Sequence, residues 1–292
     1  MSGLADGALG EFRARVLERG RELYRDLPWR RTRDPYAVWV SEVMLQQTQT
    51  TRVDGRWQRW LERFPTVEAL AAADAADVLD EWQGLGYNRR ALSLARAAAA
   101  VCERGGAVPS DAAELEALPG IGPATAAGIR AFAFDLPGVY LETNVRAVLL
   151  HELYPGAEGV PDRELVPVVR ATCPPDASDP SDDPRTWYYA LLDYGAYLKR
   201  TVPNPSRRSS GHVRQSRFEG SHRQKRAEAL RVLLAHRGEG AAGATFEEFF
   251  EALAQEEARA GRSALGAPDA LALLEELAAE GFCRHENGIW RI

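Results

Sequence analysis

Leu115-Glu116-Ala117-Leu118-Pro119-Gly120-Ile121-Gly122-Pro123-Ala124-Thr125-Ala126-Ala127-Gly128-Ile129 is the stretch from which the rest of the chain can be read. One apolar-periodic segment runs into Pro119-Gly120 and a second begins at Pro123, so two helices meet at a glycine turn. Gly120 and Gly122 permit positive φ and a close backbone approach. Pro123 and Thr125 open the second helix, whose first N–H groups have no intrahelical acceptor and point outward. A helix N-terminus attracts anions, and a turn that lets a phosphate reach it suits a DNA backbone. An ordinary glycine turn between packed helices is the other reading open at this point.

Outward from the turn, three- and four-residue apolar spacing predicts helices over 11–27, 36–64, 66–72, 75–83, 88–104, 111–118, 123–133, 145–153 and 187–198. Long alternating strands are missing, which makes the fold class all-α. Thr66, Ser110 and Asn144 stand where N-caps are expected. Residues 174–184 are acidic and proline-rich and read as a surface loop. Further helices are expected over 223–236, 245–259 and 268–280. Asn287-Gly288 then sits between two β-prone runs, a hairpin signal. Three helices and a hairpin suggest a small winged-helix-like module.

The formal charge of −6 looks unfavourable for a nucleic-acid binder, yet it is unevenly spread. From Lys199 to Arg226 nine Lys or Arg face one Glu, a local +8 that leaves −14 for the remainder. Composition alone makes Ser206 to Ser221 a flexible linker, while its charge suits a strap that tracks phosphates. From Ala227 onward the tail is −6, which points it toward packing or protein contact rather than duplex phosphate. Cys102, Cys173 and Cys283 are too widely spaced for a zinc or iron–sulfur site. No apolar run is long enough for a membrane span, and the first twenty residues are too polar for a signal peptide, so a cytoplasmic protein is expected.

Several further motifs occur in a fixed order: Pro28-Trp29-Arg30, Asp34-Pro35-Tyr36, Trp39-Val40-Ser41-Glu42-Val43-Met44-Leu45-Gln46-Gln47-Thr48-Gln49, Phe64-Pro65-Thr66, Gly84-Leu85-Gly86-Tyr87, the glycine turn, and Leu141-Glu142-Thr143-Asn144-Val145. With these, roughly residues 10 to 200 resemble the helix-hairpin-helix (HhH-GPD) DNA glycosylase superfamily, and within it the adenine mismatch glycosylases of the MutY type. The resemblance implies a two-lobed fold: a six-helix lobe over about 32–138, a second lobe from 1–31 plus 139–221, and the winged-helix-like module over 222–292.

Cutting a glycosidic bond passes through an oxocarbenium-like transition state, which calls for an acid to protonate the departing base and a carboxylate to stabilise the sugar cation. Glu42, flanked by apolar neighbours that would raise its pKa, takes the acid role that the resemblance assigns. Glu142 stands where the family carries the aspartate facing the sugar, and Asn144 where it carries a supporting asparagine. The resemblance further makes Gln47 the wedge that fills the hole left by the flipped base. Thr48 touches the opposite base, and Tyr87 with Leu85 buttresses the opposite strand. Trp29, Arg30, Leu45 and Thr50 line the base pocket. Gly120, Gly122 and Thr125 hold phosphate at the hairpin, where the resemblance is compatible with a monovalent cation bound together with DNA. Arg207, Arg208 and Arg214 supply phosphate contacts.

Five departures from the family pattern shape the functional expectation. Glu142 extends the family aspartate by one methylene, roughly 1.5 Å, where placement matters to about half an ångström. Ala124 replaces the lysine of strand-cutting relatives, so no Schiff base and no lyase activity are expected there. Residues 199–208 replace the four-cysteine iron–sulfur loop with basic residues, so no cofactor is expected. Nothing after Ala227 resembles the family's NUDIX-like domain. Thr50 replaces a customary valine and makes the pocket more polar. The expected protein is a monofunctional, cluster-free glycosylase, a monomer at the nucleoid, acting on duplex DNA with a mismatch or lesion. Adenine is its foremost base, with thymine, uracil or another modified base as alternatives. A catalytically silent lesion-binding protein is the reading of a different class, and the tail's protein partner is unidentified.

Overall fold

The computed structural model describes residues 6–213, 217–238, 241–263 and 265–292. The described residues form fifteen α-helices and two short hairpins. The chain divides into two compact units, one of residues 1–68 and 97–213, the other of 69–96 and 214–292. The segment 69–96 thus clusters with the C-terminal helices, where the sequence reading placed it in the glycosylase lobe and set a boundary near residue 221.

The helices run α1 Asp6–Glu22, α2 Pro35–Leu45, α3 Thr50–Val53, α4 Arg56–Arg63, α5 Val67–Ala71, α6 Ala75–Glu81, α7 Arg89–Glu103, α8 Ala112–Glu116, α9 Pro123–Phe134, α10 Thr143–Glu152, α11 Asp162–Thr172 and α12 Pro184–Thr201. The single helix expected over 36–64 is three. Gln47 adopts φ 53° and Gly55 φ 77°, and each left-handed residue ends a helix and redirects the chain. Two caps differ from expectation by one or two residues. Asp111, not Ser110, accepts from the Ala113 and Glu114 amides, and Glu142, not Asn144, caps α10. The helix α11 was not anticipated because Pro167, a breaker by the usual reading, lies inside it.

In the first unit, α1, α9, α10, α11 and α12 share one core built on Phe12, Phe132, Trp187, Tyr188 and Val148. Asp183 caps α12 through the Thr186 amide, Pro184 follows at its first position, and Val202 ends it just before Pro203. Gly195 brings α12 onto the start of α10. A Cβ there would overlap the Asn144 carbonyl and lie 2.7 Å from its carbon. The acidic loop before α12 is anchored, since Arg13 pairs with Asp182 and donates to the Thr172 carbonyl.

In the second unit, α13 His222–Ala235, the short pair β1 Arg237–Gly238 and β2 Ala241–Ala242, α14 Phe246–Arg259 and α15 Ala267–Ala279 are followed by the hairpin β3 Arg284–Glu286 and β4 Ile289–Arg291. Asn287 and Gly288 at φ 52° and 79° make the expected turn, and Trp290 of β4 also pairs with Ala244, giving the winged-helix-like pattern. Arg226 bridges Glu276 and Glu280, Arg89 reaches Glu280, and Arg237 reaches Asp74 and Asp77. These pairs join the C-terminal helices to the 74–96 segment. No helix of the described residues is long and apolar enough to cross a membrane.

Candidate active site

Asp34 accepts from the Ala37 amide and Pro35 sets the first turn of α2, whose residues 36–44 are all buried. Glu42 is therefore carried into the interior by a helix with no wet face. Room for its carboxyl comes from Gly128 on α9: a Cβ at that position would overlap Glu42 Oε2 and lie 2.8 Å from Tyr140 Cε2. Burial pushes the Glu42 carboxyl up to about 8, and the nearby Glu142 carboxylate pushes the same way. A hydrogen bond from the Tyr140 hydroxyl and the charge of Arg30 oppose the rise without cancelling it. The balance favours the protonated form of Glu42.

Tyr140 is packed edge-on against Phe132 and Tyr188, with ring centroids 5.3 and 5.4 Å away, and its amide donates to the Tyr188 hydroxyl at 3.2 Å. Two residues on, Glu142 caps α10. Its Oε1 accepts from the amides of Asn144 at 2.6 Å and Val145 at 3.0 Å, and its Oε2 accepts from Asn144 Nδ2 at 3.2 Å. The extra methylene of a glutamate is thus folded back over the helix N-terminus. Burial raises the Glu142 carboxyl, against the hydrogen bonds from Val145 and Asn144 and the charge of Lys199. Lys199 lies one turn beyond Gly195 on the α12 face that meets α10. Two carboxyls, one buried and protonated and the other held by donors and a cation, are the arrangement that glycosidic cleavage asks for.

The expected pocket residues fare differently. Arg30 is buried. Its guanidinium grips buried Asp193 at 2.7 and 2.9 Å and lies over the Tyr189 ring, 4.2 Å from its centroid. Breaking one side of so buried a pair costs about 3–5 kcal/mol, which makes Arg30 an anchor of the fold. Trp29 is likewise buried, edge-on to Trp57 at 6.4 Å. Leu45 and Thr50 are half-buried at the two sides of the Gln46–Gln49 turn.

At the hairpin, Gly120 has positive φ, 79°, whereas Gly122 is extended at φ −95° and ψ 173°, so only the first glycine needs the left-handed region. Both glycines and Ala124 are exposed. The Thr125 side chain is not turned outward. It is buried and accepts from Gln46 Nε2 at 2.9 Å, tying the start of α9 to the turn that presents exposed Gln47 and half-buried Thr48. Any phosphate contact by Thr125 is left to its backbone N–H.

The basic segment is only partly a strap. Arg208 donates to the carbonyls of Leu150, Tyr154 and Ala157, closing the C-terminal end of α10, and Ser210 pairs with Val160. The terminal nitrogens of Arg208 are therefore committed to carbonyls of its own chain. Arg207 beside it is exposed, and Arg214 lies outside the described residues. A cysteine-ligated cluster does not fit this loop, because residues 199–213 contain no thiol. Among the described residues no three His, Cys, Asp or Glu side chains are grouped to hold a metal.

In the second unit, Leu85 is buried. Tyr87 is 43% exposed at φ 50°, and its hydroxyl accepts from Arg223 Nη1 at 3.2 Å. The sequence reading overlooked Gly128, Tyr140, Asp193 and Lys199. The one signal for Tyr140 was its place two residues before Glu142.

Residues 40–169 match the family model of the HhH-GPD superfamily base excision DNA repair protein. An adenine DNA glycosylase of Mycolicibacterium smegmatis is 37% identical over 227 residues, which cover 72% of this chain and 75% of that protein. The chain belongs to the HhH-GPD DNA glycosylases. Within that superfamily it falls in the adenine DNA glycosylase, or MutY-type, family. The enzyme of that name from Mycobacterium tuberculosis is 41% identical over 47% of each chain, and that from Homo sapiens 40% over 50% of this chain and 29% of its own. This glycosylase also shares its fold with a thermostable thymine-DNA glycosylase, with TM-score 0.57 and 21% identity over 75% of this chain and 95% of that one. An endonuclease III trapped on DNA gives TM-score 0.54 at 17% identity, over 75% and 94%.

Proposed function

We propose that this glycosylase excises adenine from a mispair in duplex DNA, by hydrolysis and without cutting the strand. The observation that carries the proposal is Glu42, enclosed by Gly128 and Tyr140 and held protonated at neutral pH beside a second carboxylate. Glu42 gives its proton to the departing base as the glycosidic bond lengthens. Glu142, held by two amides and Asn144, stabilises the positive charge that develops on the sugar. Water then adds to the sugar carbon.

Ala124 has no amine to attack the abasic product, which supports a monofunctional enzyme. The thiol-free loop supports a cluster-free one. The exposed hairpin and Arg207 take phosphates, Gln47 enters the stack, and the protein works as a monomer on nucleoid DNA. A panel of single-lesion duplexes, followed by alkali cleavage, tests the reading. Adenine opposite guanine or 8-oxoguanine is expected to be released, with no strand cut before alkali and no borohydride-trapped adduct. Release of thymine or uracil instead, or tight binding with no release, would contradict it.

A further inference from the structure

We propose that Tyr140 is a positioning residue of the excision reaction, its hydroxyl holding the Glu42 carboxyl in place and stabilising the carboxylate left once the proton has gone to the base. This rests on the reading of Glu42 as the general acid. Three observations converge on it. Tyr140 precedes Glu142, the cap of α10, by two residues, and both act on Glu42, which arrives from α2. The Gly128 side of the site is closed on the two groups together, because an added Cβ would crowd Glu42 Oε2 and Cδ and Tyr140 Cε2 at once. The Tyr140 ring is fixed edge-on by Phe132 and Tyr188, and its own amide is tied to the Tyr188 hydroxyl. A phenol so clamped has little freedom beyond its O–H, and its Cε2 edge and Glu42 Oε2 border the same space above Gly128.

The other titratable or charged groups facing Glu42 are Glu142 from the stretch before α10, Arg30 from the turn at 28–30, and Tyr189 from α12. Arg30 is already committed to Asp193, and the Glu142 carboxylate repels a second negative charge. Tyr140 is thus the neutral donor that can follow the proton transfer without adding charge. A hydrogen bond to a carboxylate strengthens as the charge forms, so its contribution is greater after transfer than before.

The test is Tyr140→Phe, read in two ways. Isotope-edited infrared difference spectra, with Glu42→Gln subtracted, titrate the Glu42 carboxyl directly and need no activity. The transition should move upward by about 0.5–1 pH unit when the donor is lost. Single-turnover excision should fall roughly tenfold on the acid side of the profile, with the basic limb moved upward by the same interval and lesion-duplex affinity unchanged. A purely structural role would lower the rate equally at every pH and leave the carboxyl where it was. If Tyr140→Phe does not fold, 3,5-difluorotyrosine at position 140 keeps the shape and makes the phenol a stronger donor, and the carboxyl should then move down. An unmoved carboxyl in the folded variant overturns the proposal. A moved carboxyl in a protein that releases no base from any duplex upholds the hydrogen bond and overturns the excision reading instead.

Discussion

The stretch around Glu42 and the stretch after Lys199 were both read as parts of the DNA-facing machinery, yet they use polar residues in opposite ways. On α2 a single carboxyl is carried into the interior, with Gly128 opposite and the Tyr140 ring beside it, and its enclosure makes it an acid. After Lys199 charge is abundant, but part of it is spent inside the fold: Arg208 binds three carbonyls of its own chain while Arg207, one residue earlier, stays in water. Chemistry follows from what surrounds a group, and a run of like charges says little about which of its members face outward.

The comparison is broken or sharpened most strongly at Glu42. Glu42→Gln keeps the size and cannot deliver a proton, so excision should fall by roughly 10² or more while lesion-duplex binding survives. Gel-shift affinity measured beside single-turnover rates checks both halves. Next comes Gly128→Ala. One methyl group in that space displaces the carboxyl, and an ångström of misplacement costs about 10² in rate, with about 1–3 kcal/mol of stability lost to overpacking. Calorimetry with the same rate assay would show a variant that behaves like wild type if the space is not needed.

In the basic segment the effects are smaller and should separate by type. Arg208→Ala leaves three carbonyls without their donor and should lower unfolding free energy by about 1–3 kcal/mol in denaturant titrations, with little change in salt dependence. Arg207→Ala should leave stability within about 0.5 kcal/mol and flatten the log-affinity slope against salt by about one. If the two variants exchange these behaviours, the division drawn between the neighbours fails.

Much of this architecture was legible from local patterns, and the failures have local causes. The glycine turn at Gly120 and the Asn287-Gly288 turn follow from residues with few conformational options. The break at Gln47 did not show, because glutamine carries no sign of a left-handed backbone. Pro167 hid α11 by looking like a stop. Glu42 was readable as an acid from its neighbours in sequence. Its partners were not, because Gly128 and Tyr140 meet it only through the packing of α9 and the stretch before α10. Arg30 and Arg208 show the same limit, since nothing nearby in sequence announces Asp193 or the carbonyls of α10.

The elevated acid is the centre of the account, and its pH dependence tests it most directly. A carboxyl raised from 4.5 to about 8 is a proton that folding takes up between those values. Stability contributed by the protonated form is therefore complete below about 4.5 and lost as pH climbs through about 8. Glu42→Gln, which has no charge to bury, should accordingly melt no lower than wild type at neutral pH. The decisive measurement is the single-turnover rate of adenine release from an adenine–8-oxoguanine duplex, followed from acid to alkaline pH. A rate held through neutrality and falling above about 8 is the predicted result. A fall already complete in the ordinary carboxylate range, or a profile with no basic limb that Glu42→Gln abolishes, would contradict it.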